Sequence, residues 1–245
     1  MTLKKTPVTL SDSARVAEES ILIVNANVGE PLQEEEEVPK ILSNALHRFF
    51  LGPDKGPIFV LIALMGIVYT RLTMATAIGS GDFAAFGASI LFWWFQEHLL
   101  HERLLHSNFD WLGKHIHQEH HEKPYYHISI DPSWLMVSWL GVASVMFRLV
   151  LPVHVATSAI FGYALAGLMY EWTHYIVHTR VKPTNSFLKR VRDNHIKHHL
   201  VDSRYWFAFS VPAVDDLLGT NPSMHQVRSE RKKEAVNRAG VQKPF

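Results

Sequence analysis

The sequence predicts an all-α integral membrane protein with about four transmembrane helices in two hairpins and a helical cap on the cytosolic side. Three observations lead there. Four long apolar runs occur in the 245 residues, each pair is joined by a very short loop, and Lys and Arg gather in segments on one side of the runs. Hydrophobic residues make up 47% of the chain and aromatics 11%, collected into those runs rather than spread at the spacing of an amphipathic soluble helix. Four separate runs argue against a buried soluble bundle.

Residues 1–40 are polar, with an acidic run at 34–37 between Pro31 and Pro39, and are expected to be a flexible cytosolic tail. The apolar patch at 21–24 is too short for the core of a signal peptide. The first apolar run, 57–79, leads through a GSGD loop into a second, 83–100. A third run covers 134–150 and a fourth 153–172, with Pro152 marking the turn between them. Because about 20 apolar residues cross a bilayer core, each pair reads as a helical hairpin. A membrane-embedded domain at 41–225 and a polar C-terminal tail at 226–245 complete the division. The tail before the first run, residues 103–123 and the region after Arg180 carry Lys and Arg, whereas the two hairpin loops carry almost none. The bias puts both termini and the central loop in the cytosol. Arg71 and Arg148 fall near the far ends of their runs and are expected to snorkel to the opposite interface. A net charge of +1 suggests no nucleic-acid partner.

The chain has no cysteine, which excludes disulfides, thiolate metal sites and a cysteine nucleophile. Histidine appears 16 times, and 14 of these lie between His98 and His199. His101 and His106 form H-x4-H at the end of the second run, and His117, His120 and His121 form H-x2-H-H in the central loop. His174 and His178 form H-x3-H at the end of the fourth run, and His195, His198 and His199 repeat H-x2-H-H beyond it. Residues three and four apart share a helix face, so each H-x2-H-H and the H-x3-H can aim all its imidazoles at one centre. Five positions apart is about 140° off that face, so His101 and His106 need a helix end or bend between them, or serve different metals.

Neutral imidazole suits iron, zinc and copper. Ten such ligands exceed the needs of one ion; two ions with four or five nitrogens each is the natural count, the ions lying roughly 3.5–4 Å apart. A lone H-x3-H is more often an ordinary polar pair, and low-complexity histidine tracts bind metal adventitiously, but four clusters in apolar, aromatic helices match neither. His98, His115 and His127 lie nearby as supporting or substrate-contacting groups, and His47, His154 and His225 read as ordinary residues. Glu97, Glu171 and Asp193 adjoin the clusters and are candidates to orient imidazoles, or interfacial charges.

EHLLHERLLH at 97–106, HQEHHEKP at 117–124, YEWTHYIVHTRVKP at 170–183 and NHIKHHL at 194–200 resemble the boxes of the fatty acid hydroxylase superfamily of membrane di-iron oxygenases, which includes sterol desaturases. FAFSVPAVDDLLGT at 207–220 resembles that family's ending after its final box. The likeness covers about 93–222, and its boxes look closest to fatty acid 2-hydroxylases acting on ceramide-linked or free acyl chains. The sequence departs at His98, where the family usually has an aromatic residue, and in a short loop between the first two boxes.

The resemblance implies two iron ions, replaceable by zinc in preparations, held by the ten histidines, and oxygen-dependent hydroxylation of a lipid acyl chain drawn from the bilayer. Trp93, Trp94 and Phe95 would line the acyl pocket or belong to an interfacial belt. With no haem, flavin or iron–sulfur motif, electrons must come from outside, from cytochrome b5 or from ferredoxin with its reductase. Arg180, Lys182, Lys189, Arg190 and Arg192 offer a landing area for such a carrier or for anionic headgroups. A desaturase or a sterol or carotenoid oxygenase would use the same site, and a metal transporter or metal-binding protein is the reading of another class. The membrane is expected to be a bacterial inner membrane or the endoplasmic reticulum.

Overall fold

Inside a bilayer the backbone has no water to bond, and the apolar runs satisfy it as helices. The computed structural model describes residues 38–122 and 130–241. Residues 1–37 of the expected tail with their acidic run, His127, and residues 242–245 lie outside the described residues. In chain order, α1 is Leu42–Leu51, α2 Gly56–Thr73, α3 Ser80–Leu100, α4 Leu112–Glu122, α5 Ser133–Val150, α6 Val153–Val177, α7 Ser186–Leu200, α8 Ala213–Leu218 and α9 Met224–Val241. A π-helical segment, His101–Leu105, continues α3 directly. No strand occurs among the described residues.

Three of these helices, α2, α5 and α6, are long and apolar enough to cross a membrane. The second apolar run forms the 21-residue α3, whose last turns carry Gln96, Glu97 and His98, and it does not reach the hydropathy of the other three. Helix α6 is central, packing against α2, α3 and α5. Its contact with α3 is close: a Cβ on Gly162 would lie 2.4 Å from the Ser89 hydroxyl and 2.5 Å from the Phe86 carbonyl oxygen. Small residues let helices approach this way where lipid removes the hydrophobic drive to associate. Helix α5, by contrast, turns apolar side chains outward, Val145 and Leu149 among them, as a lipid-facing helix does.

Arg71 does not snorkel. It is buried and forked onto Asp82, Nε to Oδ1 at 2.7 Å and Nη2 to Oδ2 at 2.8 Å. It also donates to the carbonyls of Thr76 and Ala77, while Ser158 and the Gly79 amide donate to Asp82. A bidentate carboxylate within reach satisfies the guanidinium inside the bundle, so the side chain has no need of the interface. Arg148 is exposed.

Much of the stretch expected as a polar tail is the helix α9, which buries Val227 and is tied to the segment after α7. Tyr205 donates its hydroxyl to Glu230, and Arg204 bonds Glu234 at 2.7 Å.

Candidate metal centre

At the end of α3 the backbone widens by one residue per turn: the His106 amide donates to the His101 carbonyl at 3.2 Å, an i to i+5 bond. The 140° mismatch of H-x4-H disappears in that wider turn, and the two imidazoles lie with Nε2 atoms 3.3 Å apart. Beyond it, α4 and α7 carry the two H-x2-H-H motifs; α7 is started by Asn185, whose Oδ1 accepts the Leu188 amide.

The ten histidines come together as two groups of five, each able to hold a metal ion, with the donor atoms in each within 4.8 Å of one another. The first contains His101, His106, His117, His121 and His198; the second contains His120, His174, His178, His195 and His199. Neither H-x2-H-H aims at one centre, contrary to the expectation from face-sharing. In each, the i and i+4 residues join one group and the i+3 residue joins the other, because i+3 and i+4 fall on opposite sides of residue i around the helix. Each group thus takes one pair from the end of a long helix, one pair from a cap helix and a single histidine from the other cap helix. The groups adjoin: the His121 and His199 rings stack with centroids 4.2 Å apart.

Within the first group, Nε2 of His106 lies 3.0 Å from those of His117 and His198, and Nε2 of His101 lies 3.1 Å from that of His117. In the second, His120 and His174 approach to 2.8 Å, His178 and His195 to 2.7 Å, and His195 and His199 to 3.0 Å. Burial holds His106 and His121 down at about 4, with His106 adding to the effect on His121. Burial and then neighbouring imidazoles keep His101, His117, His120, His195, His198 and His199 well below the ordinary histidine value. Neutral imidazoles converging on one point are ligands, not bases.

Two of them have a fixed tautomer. Nδ1 of His101 lies 2.7 Å from the Phe207 carbonyl oxygen and Nδ1 of His198 lies 2.7 Å from that of Tyr205. A carbonyl only accepts, so both Nδ1 atoms carry the proton and both Nε2 atoms present lone pairs. Five ring nitrogens gathered within 4.8 Å of one another, two of them lone-pair donors by tautomer, make a donor set that fits a metal. Between the two carbonyls stands Trp206, fully buried and at φ 60°. That left-handed backbone costs a non-glycine residue on the order of 1 kcal/mol or more, and it turns both carbonyls toward the histidines.

Asp215 anchors this strap from behind, accepting the amides of Phe207 and Ala208 and the Thr220 hydroxyl. Burial pushes its carboxyl up to about 6, against those hydrogen bonds, so it remains a carboxylate at neutral pH. Gly219, at φ 76°, ends α8 and turns the chain so that Thr220 faces back. Histidine spacing carries no signal for this support; the resemblance of 207–220 to the family ending was its only trace in the sequence.

The carboxylates expected to orient imidazoles do other work. Glu97 accepts the Ser210 amide at 2.9 Å and Glu171 the Asp131 amide at 3.1 Å; Asp193 bonds no imidazole among the described residues. His98 is buried with Nε2 2.9 Å from the Thr220 hydroxyl, supporting the strap, whereas His115 pairs with Asp110 at the exposed surface. His47 and His225 are exposed and His154 half-buried, all apart from both groups.

A cavity reaches both groups, touching His101 and His117 of the first and His120 and His174 of the second. It runs between the helices past Trp93, Met136, Leu140, Tyr163 and Ala164. From Ala164 to His174 the α6 wall is about 15 Å long. Trp93 lines it; Trp94 and Phe95 do not. Near the histidines its wall becomes polar, with Glu97, Asp131, Tyr170 and Glu171.

The family model for fatty acid hydroxylase matches residues 86–220. The fatty acid 2-hydroxylase of Mus musculus is 29% identical over 141 residues, 53% of this chain and 37% of that protein. That of Homo sapiens is 26% identical over 136 residues, 50% of this chain and 35% of that protein. The chain thus matches little more than a third of these relatives' length. The solved structure of full-length scs7p, in which only the hydroxylase domain is visible, aligns over 90% of this chain and 95% of that chain, with a TM-score of 0.58 at 14% identity. That likeness is one of fold. Ten histidines in two convergent groups, set against an apolar cavity within a matched region that holds every box, lead to one conclusion: the chain belongs to the fatty acid hydroxylase family.

Proposed function

We propose that the protein is a membrane-embedded, oxygen-dependent hydroxylase of a lipid acyl chain, with two iron ions held by His101, His106, His117, His121 and His198 and by His120, His174, His178, His195 and His199. The observation that carries this reading is the junction of one apolar cavity with both histidine groups. When bound, such a pair of ions supplies the oxidising power that an unactivated carbon–hydrogen bond demands and no side chain has.

The protein's own residues supply placement. Trp93, Met136, Leu140 and Ala164 exclude water from the apolar length of the substrate and direct one end of it toward the histidines. Tyr170, Asp131 and Glu171, on the polar wall beside His174, are placed to receive the substrate's polar portion. Burial raises the Asp131 carboxyl above its ordinary value, against its hydrogen bond with Glu171. The imidazoles hold their neutral form through the cycle because burial opposes protonation.

Helix α3 acts as the fourth span: its polar inner end is polar because it faces the centre, and Asp82 at its outer end is paired with Arg71. Both termini and the cap lie on the cytosolic side, of a bacterial inner membrane or the endoplasmic reticulum. Electrons come from cytochrome b5 or from ferredoxin with its reductase, docking near Arg180, Lys182 and Lys189. Arg190 pairs with Asp216, and Arg192 bonds the carbonyls of Val181 and Thr179, so these two contribute to folding of the cap.

The test is product analysis under oxygen-18 with purified protein, reductant and lipid. One labelled hydroxyl per turnover is expected; a new double bond without label would make the protein a desaturase.

A further inference from the structure

The segment between α7 and α8 joins a buried carboxylate to the first histidine group through a single peptide unit. The Ala208 amide donates to Asp215 Oδ2 at 3.0 Å, and the carbonyl of that same peptide unit, on Phe207, accepts His101 Nδ1–H at 2.7 Å. The preceding amide, on Phe207, donates to Asp215 Oδ1 at 3.0 Å. Asp215 is 0% exposed, so its charge acts with little screening from solvent. A carboxylate at one end of an amide draws its N–H and enriches its carbonyl, and hydrogen bonds in such a chain strengthen one another. The result at the far end is a more basic, orientationally locked imidazole.

The same clamp reaches a second ligand. Thr220 donates its hydroxyl to Asp215 at 2.7 Å and accepts the Trp206 amide on its carbonyl at 2.8 Å, holding Trp206 in the left-handed conformation. The Tyr205 carbonyl then meets His198 Nδ1. Three of the five ligands of the second group lack such a bond. Nδ1 of His120, of His195 and of His199 are buried with no hydrogen-bond partner among the described residues.

We propose that Asp215 is a positioning residue for one of the two metal centres only, acting through the Phe207–Ala208 peptide and Trp206 to lock His101 and His198, so that this centre releases its ion more slowly than the other. The proposal rests on the reading that each group of five histidines holds one ion, and its consequence is an inequality between two sites of identical ligand type. Ring orientation fixed from behind slows dissociation because a ligand that leaves cannot turn away, and rebinds first.

The experiment loads the full chain in detergent with cobalt(II) and follows loss of the ions to a chelator by metal analysis and by the cobalt spectrum. The native protein should hold two ions and release them in two phases. His101→Ala should abolish the slow phase and His120→Ala the fast one. Asp215→Asn should accelerate the slow phase by about 10–100-fold, the usual scale for removing support behind a ligand, and leave the fast phase in place. Thr220→Val, which keeps both amide bonds to Asp215, should accelerate the same phase by less, and Thr220→Ser, which keeps the hydroxyl, should restore it; this pair decides the matter if Asp215→Asn does not fold. A single release phase in the native protein, equal acceleration of both phases, or no acceleration in either variant overturns the proposal. Fewer than two ions on the native protein would overturn the two-metal reading itself.

Discussion

Adjacent histidines on one helix serve different centres, and that division is the sharpest residue-level consequence of the geometry. His120 and His121 are neighbours in sequence, yet His120 belongs with His174 and His178 while His121 belongs with His106 and His198. His120→Ala and His121→Ala should each lower metal content from two ions toward one per chain, but from different sites. Metal analysis after loading would read the count, and the double variant should fall below either single one. Each substitution should lower hydroxylation by about 100-fold or more, since even groups behind a ligand cost about 10–100-fold. That these ten residues converge was legible in the sequence because four clusters recur in apolar, aromatic helices, as neither ordinary polar pairs nor low-complexity tracts do. Their partition was not, because face-sharing at three and four residues says which residues are near and not which of two close points each one meets.

Helices meet at positions that periodicity does not mark. Gly162 sits where α6 crosses α3, and a methyl group there would lie 2.5 Å from the Phe86 carbonyl oxygen. Gly162→Ala should cost about 1–3 kcal/mol, the range for overpacking a filled contact, measured by thermal unfolding in detergent. The outer end of the bundle depends on Arg71 and Asp82, each with a side chain 8% exposed. Arg71→Ala alone should lower the unfolding temperature by leaving Asp82 without its counter-ion, and Arg71→Met with Asp82→Leu should lower it less than that single change. The four apolar runs were legible as lengths of hydrophobic sequence, and so was the packing of α5 on α6; α2 and α3, expected as a hairpin, instead each pack on α6. The ion pair was not legible: Arg71 and Asp82 are separated by a loop, and a charge in an apolar run reads as a snorkelling residue until its partner is placed. The π-helical segment was half legible, since the H-x4-H spacing demanded a local change of helix geometry without naming it.

Across the molecule, the buried imidazoles tie stability to pH. His106 and His121 are held at about 4 in the folded protein against about 6.5 when unfolded. The unfolded chain therefore binds more protons between those values, and stability falls as pH drops from about 6.5 through about 4. The metal-free protein should lose thermal stability across that window, and the metal-loaded protein should resist the first part of it, because bound ions compete with protons for the same nitrogens. Thermal scans of both forms from pH 7.5 to about 4 would read this; a metal-free protein equally stable throughout would mean the histidines are exposed to water. The family was legible in the boxes together. The strap of residues 205–208 was not, because its role lies in main-chain atoms that any sequence supplies, and its anchor Asp215 was traced only by the resemblance of 207–220 to the family's ending.

On the proposed reading, ten histidines form two separate metal centres in one chain. Metal analysis of protein purified from iron-replete cells, with the metal's coordination shell read by X-ray absorption, tests it most directly. Two ions per chain, iron or zinc in its place, each with a shell dominated by imidazole nitrogen, is the expected result. One ion per chain, or ions with carboxylate-dominated shells, would contradict it.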